Sequence, residues 1–194
     1  SRTINKVTPD SVPSNQLFPL LVVLHGGAGS AAVIQAQLGL DPYADSNKIF
    51  LAYPNGTMID SNPLMRVWNS GNCCSTAKTN NVNDVAFITA VVNYMIANHP
   101  IDSTKVYIAG LSNGGMMALR YMCERPDKIA GAMEISSIKT TTGYCSTAIN
   151  RPLLSIHGAL DDITPLAGGE TIEVGYTFPP YQTMVNDFQT KGVT

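Results

Sequence analysis

The sequence predicts an α/β fold with a mostly parallel sheet. Continuous apolar runs of strand length, such as Leu20 to Leu24, suit strands buried on both faces. Segments with helical spacing alternate with them. Gly-, Asn- and Pro-rich punctuation closes the strands, which is where ligand sites lie in such sheets.

The elements follow in order. Leu20 to Leu24 runs into His25-Gly26-Gly27, and Ala31 to Leu38 starts a helix. Ile49 to Tyr53 is the next strand, stopped by Pro54-Asn55-Gly56. Residues Ile59 to Asn81 are rich in Asn, Ser and Gly and read as a long functional loop. Val85, Ile88, Val91, Val92, Met95 and Ile96 recur at helical spacing, so Asn83 to Asn98 is an amphipathic helix capped by Asn83 or Asp84. Val106 to Ala109 is a strand and Met116 to Cys123 a helix. Ile129 to Ile135 and Leu153 to Ile156 are strands, and Tyr181 to Lys191 has helical spacing at Met184, Val185 and Phe188.

The 194 residues suit one domain spanning 1–194. A net charge of −2 argues against a nucleic-acid or anionic-membrane partner. No apolar run approaches the roughly 20 residues of a membrane span. Charged residues make up only 13%, so Asn, Ser and Thr must supply the polar surface, a composition common in secreted proteins. None of the four cysteines, Cys73, Cys74, Cys123 and Cys145, forms a C-x-x-C pair, and no metal or cofactor is expected. Joining the neighbours Cys73 and Cys74 closes a very small ring. Two cross-pairings to Cys123 and Cys145 are therefore expected, and with them export from the cell.

Gly110-Leu111-Ser112-Asn113-Gly114 is a G-x-S-x-G pattern between strand and helix. It would project the Ser112 hydroxyl from a sharp turn as a nucleophile. The Asn113 N–H, at the helix start, would face a developing oxyanion. Gly27, after the first central strand, would give the second amide. The same turn, Gly27-Ala28-Gly29-Ser30-Ala31-Ala32, also fits a dinucleotide fingerprint. That reading needs an acid at the end of the next strand, and Pro54-Asn55-Gly56 has none. Asp161 and Asp162, just after Leu153 to Ile156, are the candidate acids in the chain order Ser then Asp.

Leu24-His25-Gly26-Gly27, Tyr53-Pro54-Asn55-Gly56, Asp84-Val85-Ala86-Phe87, the run from Val106 to Met117, and His157-Gly158-Ala159-Leu160-Asp161 together resemble one family. The chain is similar to the secreted α/β-hydrolase esterases grouped as polyhydroxybutyrate depolymerase-like, LpqC-like or feruloyl esterase-like. The resemblance covers roughly residues 18 to 170. It implies an α/β-hydrolase fold with helices on both faces, and a serine esterase acting on feruloyl, acetyl, hydroxyalkanoate or short acyl esters. It selects Asp161 as the acid. It makes the region around Trp68 line the acyl or aromatic pocket, with anchoring of the loop to the core as the alternative for Trp68, and it makes the His157-Gly158 turn structural. His25, read as a buried orienting residue rather than a base, and His157 are the other candidate substrate-side residues.

The resemblance also implies a catalytic histidine after one further strand, downstream of the acid. The expectation is therefore of a chain whose last strand–helix unit is missing, exposing a sheet edge that invites a homodimer. The histidines here are His25, His99 and His157 alone. Recruitment of His157 as the base, or a catalytically silent relative that binds an ester or carbohydrate, are the alternatives.

Overall fold

The computed structural model describes residues 2–141, 145–146, 148–171 and 175–194. The strands are β1 (Ile4–Val7), β2 (Phe18–Leu24), β3 (Phe50–Pro54), β4 (Thr57–Ile59), β5 (Asn62–Val67), β6 (Ile101–Leu111), β7 (Gly131–Ile135), β8 (Leu153–Ile156), β9 (Gly169–Thr171) and β10 (Tyr176–Phe178). The helices are α1 (Ala31–Leu38), α2 (Asp41–Ser46), α3 (Ser75–Thr79), α4 (Asp84–Asn98), α5 (Asn113–Glu124) and α6 (Tyr181–Gln189).

Six strands form the main sheet in the order β1-β3-β2-β6-β7-β8. Only β1 runs antiparallel, against β3. All other neighbours are parallel, with β2 and β6 side by side at the centre. The apolar runs feed both faces because successive side chains alternate. Leu20, Val22 and Leu24 of β2 join Phe50 and Ala52 of β3 in the core beneath α4 and α5. Val23, Leu51 and Tyr53 pack instead with Ala31 and Ile34 of α1 and Ala44 of α2. Helices therefore cover both faces.

Asn83 rather than Asp84 caps α4, its side chain accepting from the Ala86 N–H at 2.9 Å. The expected loop over 59–81 is partly ordered. Asp60 and Ser61 both adopt positive φ and close a tight hairpin between β4 and β5, and α3 follows. Two left-handed residues are what a two-residue hairpin turn demands, but Asp-Ser is not the glycine-bearing pair that announces one.

The cysteine expectation is corrected. Cys73 is joined to Cys74, and Cys123 to Cys145. Cys74 Sγ lies 3.4 Å from Asn113 Nδ2 at the start of α5, whereas Cys123 stands ten residues further along the same helix. That is about 15 Å at the helical rise, beyond the reach of a disulfide. Cross-pairing is therefore excluded by the path of α5. On the far side, β8 is an edge of the sheet among the described residues, with Leu154 56% and Ile156 47% exposed.

Candidate active site

Ser112 occupies the single residue between β6 and α5, at φ 52° and ψ −124°. A non-glycine residue there costs about 1–3 kcal/mol and persists only where its surroundings enforce it. They do so here. The Ser112 N–H donates to Ile135 O at 2.9 Å, and its carbonyl accepts from Ser137 Oγ at 2.8 Å and Met116 N–H at 2.9 Å. The turn can be this sharp because Gly110 and Gly114 lack side chains. A methyl on Gly110 would overlap the Gly114 backbone, and one on Gly114 would overlap the Leu24 and His25 carbonyls.

The turn after β2 lies alongside. A methyl on Gly26 would sit 3.6 Å from Ser112 Cβ, and one on Gly27 would sit 3.7 Å from Asn113 Cβ. Gly27, Ser112 and Asn113 line one cleft of about 490 Å³. Its walls are apolar: Ile59, Val67, Met116 and Ile163, with Cys74 beside them. Among the described residues, neither the Gly27 nor the Asn113 main-chain N–H is bonded to another group. The first amides of a helix lack internal partners and favour negative charge. The Asn113 side chain is fully used elsewhere, accepting from Trp68 N–H at 2.7 Å and donating to Trp68 O at 3.1 Å.

His25 and Trp68 do not line the cleft: His25 is buried, as the orienting reading expects, and Trp68 takes the alternative of anchoring its loop to the core instead of walling the substrate pocket. Both are fully buried, with ring centroids 5.0 Å apart. The Gly56 N–H donates to His25 Nε2 at 3.0 Å, so Nδ1 carries the proton and donates to Gly26 O at 2.7 Å. Burial holds the imidazole pKa down to about 4, keeping it neutral. Trp68 Nε1 donates to His25 O at 3.0 Å. The pair is a buried prop beneath the turn that carries Gly27.

The acid loop follows β8. Asp161 Oδ1 accepts from the N–H groups of Ile163 and Thr164 at 3.0 and 2.8 Å, so Asp161 itself makes the Asx turn. Its Oδ2 lies 3.6 Å from His157 Nε2. His157 donates from Nε2 to Thr164 O at 2.7 Å, and its ring meets Tyr181 edge-on. With Nε2 committed and only 5% of the side chain exposed, His157 braces the loop rather than touching a ligand, which corrects that expectation too. His99 ends α4 against Phe50, and burial lowers its pKa. Among the described residues no imidazole hydrogen-bonds Ser112 Oγ.

One participant was not foreseen. Glu134, fully buried on β7, pairs in register with Gly110 of the turn. It accepts from the Ser137 N–H at 2.9 Å and from Ser155 Oγ. Desolvation raises its pKa to about 7. A lone acid in the strand Gly131–Ile135 was the available signal.

The matching family model, described as phospholipase/carboxylesterase, covers residues 11–185. The chain belongs to the phospholipase/carboxylesterase family. Among curated relatives, the poly(3-hydroxyalkanoate) depolymerase C of Paucimonas lemoignei is 30% identical over 173 residues, 89% of this chain and 39% of the relative. Feruloyl esterase B of Piromyces equi is 26% identical over 165 residues, 83% of this chain and 29% of the relative. The chain thus spans well under half the length of these relatives. A phospholipase/carboxylesterase structure from Dyadobacter fermentans superposes with a TM-score of 0.67 at 20% identity, over 100% of this chain and 85% of that one. The likeness carries the α/β-hydrolase fold, and the resemblance read from the motifs holds at the level of the family.

Proposed function

We propose that this chain is a serine carboxylic-ester hydrolase working through an acyl-enzyme. Ser112 Oγ attacks the ester carbonyl and forms the Oγ–C bond while its proton passes to a base. The carbonyl oxygen becomes an oxyanion between the amides of Gly27 and Asn113. The C–O bond to the alcohol then breaks as the alcohol takes a proton, and water hydrolyses the acyl-serine by the same route. The observation that carries this reading is a strained serine and two unbonded main-chain amides on one cleft.

The apolar walls suit an acyl chain or a planar phenolic acid. The names of the relatives extend the proposal to hydroxyalkanoate and feruloyl esters, small or polymer-linked. The disulfides favour work outside the reducing cytosol. Asp161 keeps Oδ2 free of main-chain bonds, as an acid that orients an imidazole would.

A second reading, a silent relative that binds an ester or carbohydrate, is favoured by one observation: among the described residues no imidazole engages Ser112 Oγ. Without a base, serine is a weak nucleophile. Hydrolysis of p-nitrophenyl acetate, with Ser112→Ala as background, separates the two. Turnover above that background supports hydrolysis, and equal rates leave only binding.

A further inference from the structure

The stretch Asp84-Val85-Ala86-Phe87 takes no part in the chemistry above, yet Asp84 is a fully buried carboxylate. It is not needed to start α4, because Asn83 already caps that helix. Burying a carboxylate is costly unless it is paired and hydrogen-bonded. Asp84 Oδ1 is ion-paired with Arg2 Nη1 at 2.5 Å without a hydrogen bond, and Oδ2 accepts from the Asn69 main-chain N–H at 2.6 Å; burial still raises the Asp84 pKa. Arg2 itself lies over the Phe87 ring, 3.8 Å from its centroid.

The bonds around Asn69 show what Asp84 holds. Asn69 O accepts from Arg120 Nη1 at 2.7 Å. Trp68 gives its N–H to Asn113 Oδ1 and takes Asn113 Nδ2 on its carbonyl. All four main-chain polar groups of Trp68 and Asn69 are thus held by three side chains. Asn113 and Arg120 stand about two turns apart on α5, and Asp84 comes from α4. The dipeptide lies as a splint along the helix whose first amide is that of Asn113.

We propose that Asp84 is a positioning residue for oxyanion stabilisation: by fixing the Asn69 N–H it holds Trp68 on the Asn113 side chain, and so aims the Asn113 amide into the cleft. It acts through Asn69, Trp68 and Asn113, and does not itself line the cleft. The proposal rests on the hydrolase reading of Ser112.

The test measures kcat and KM for p-nitrophenyl acetate in imidazole buffer, for wild type, Asp84→Ala, Asp84→Asn and the Ser112→Ala background. Emission of Trp68, the only tryptophan, is followed in parallel. Asp84→Ala is expected to lower kcat about 100-fold, the scale of losing one oxyanion donor. KM should stay within about twofold, and Trp68 emission should move to the red. Asp84→Asn keeps an oxygen for the Asn69 N–H but loses the Arg2 ion pair, and is expected to lose only about five- to tenfold in kcat. If Asp84→Ala does not fold, Asp84→Asn carries the test. An unchanged kcat in a folded Asp84 variant of an active wild type, or unchanged Trp68 emission in Asp84→Ala, overturns this proposal and leaves the hydrolase reading intact. Wild-type turnover equal to that of Ser112→Ala removes the hydrolase reading itself.

Discussion

The two sides of the cleft are built differently. On the Ser112 side, Ser112, Asn113, Trp68 and His25 have their backbone or side-chain groups held by named partners, and the rings beneath are buried. On the acid side, Asp161 sits in a loop held mainly by its own Asx turn, with Leu160 96% exposed beside it. Under the proposed reading one side would stabilise charge, and the other carries a carboxylate; among the described residues no imidazole lies between that carboxylate and Ser112. On that reading, oxyanion stabilisation and proton transfer can be probed separately.

The largest expected effect comes from Ser112→Ala, which should remove all turnover above background and all labelling by a fluorophosphonate, read by intact mass. Next is Gly114→Ala. Its methyl would overlap the carbonyls of Leu24 and His25, and overpacking of this kind costs about 1–3 kcal/mol or more. A lowered midpoint of thermal unfolding checks it.

Two buried groups, Glu134 and His25, should also titrate in opposite senses. Glu134 has its folded pKa raised to about 7, so its contribution is complete below its unfolded value and is lost as pH rises toward 7. His25 has its folded pKa lowered to about 4, so its contribution is present above its unfolded value near 6.5 and is lost as pH falls toward 4. Each is worth about 3 kcal/mol at most, and between pH 4.5 and 6.5 they oppose one another. Glu134→Gln should therefore expose the His25 limb: its melting temperature should fall on acidification more steeply than that of wild type.

The smallest effect should come from Asp161→Asn. The amide oxygen can keep the Asx turn, and among the described residues no imidazole links this carboxylate to Ser112. The rate should change by only a few-fold, measured with p-nitrophenyl acetate. A loss of about 1,000-fold would instead mean that His157 has been recruited.

The same contrast governs what could be read from the amino-acid order. β2, β3 and α4 announced themselves because their periodicity is local, and the turn around Ser112 because its glycines are dictated by two packed backbones. β1 is four residues with a polar centre, and it becomes a strand only by pairing with β3. The β4–β5 hairpin escaped because Asp60 and Ser61 accept positive φ without a glycine. The disulfide pairing depends on distances along α5, which spacing in the chain does not encode. His25 and Trp68 were recognisable as part of the site, but which way their rings faced was set by the Gly56 amide and the Asn113 side chain, far away in sequence.

The most direct measurement is the hydrolysis of p-nitrophenyl acetate by wild type and Ser112→Ala as free imidazole is titrated in. A nucleophilic serine facing two main-chain amides should show turnover that climbs with imidazole in wild type above the imidazole-catalysed background, whereas Ser112→Ala should follow that background. Identical imidazole dependence in both proteins would contradict the assignment of Ser112 as a nucleophile facing an oxyanion hole.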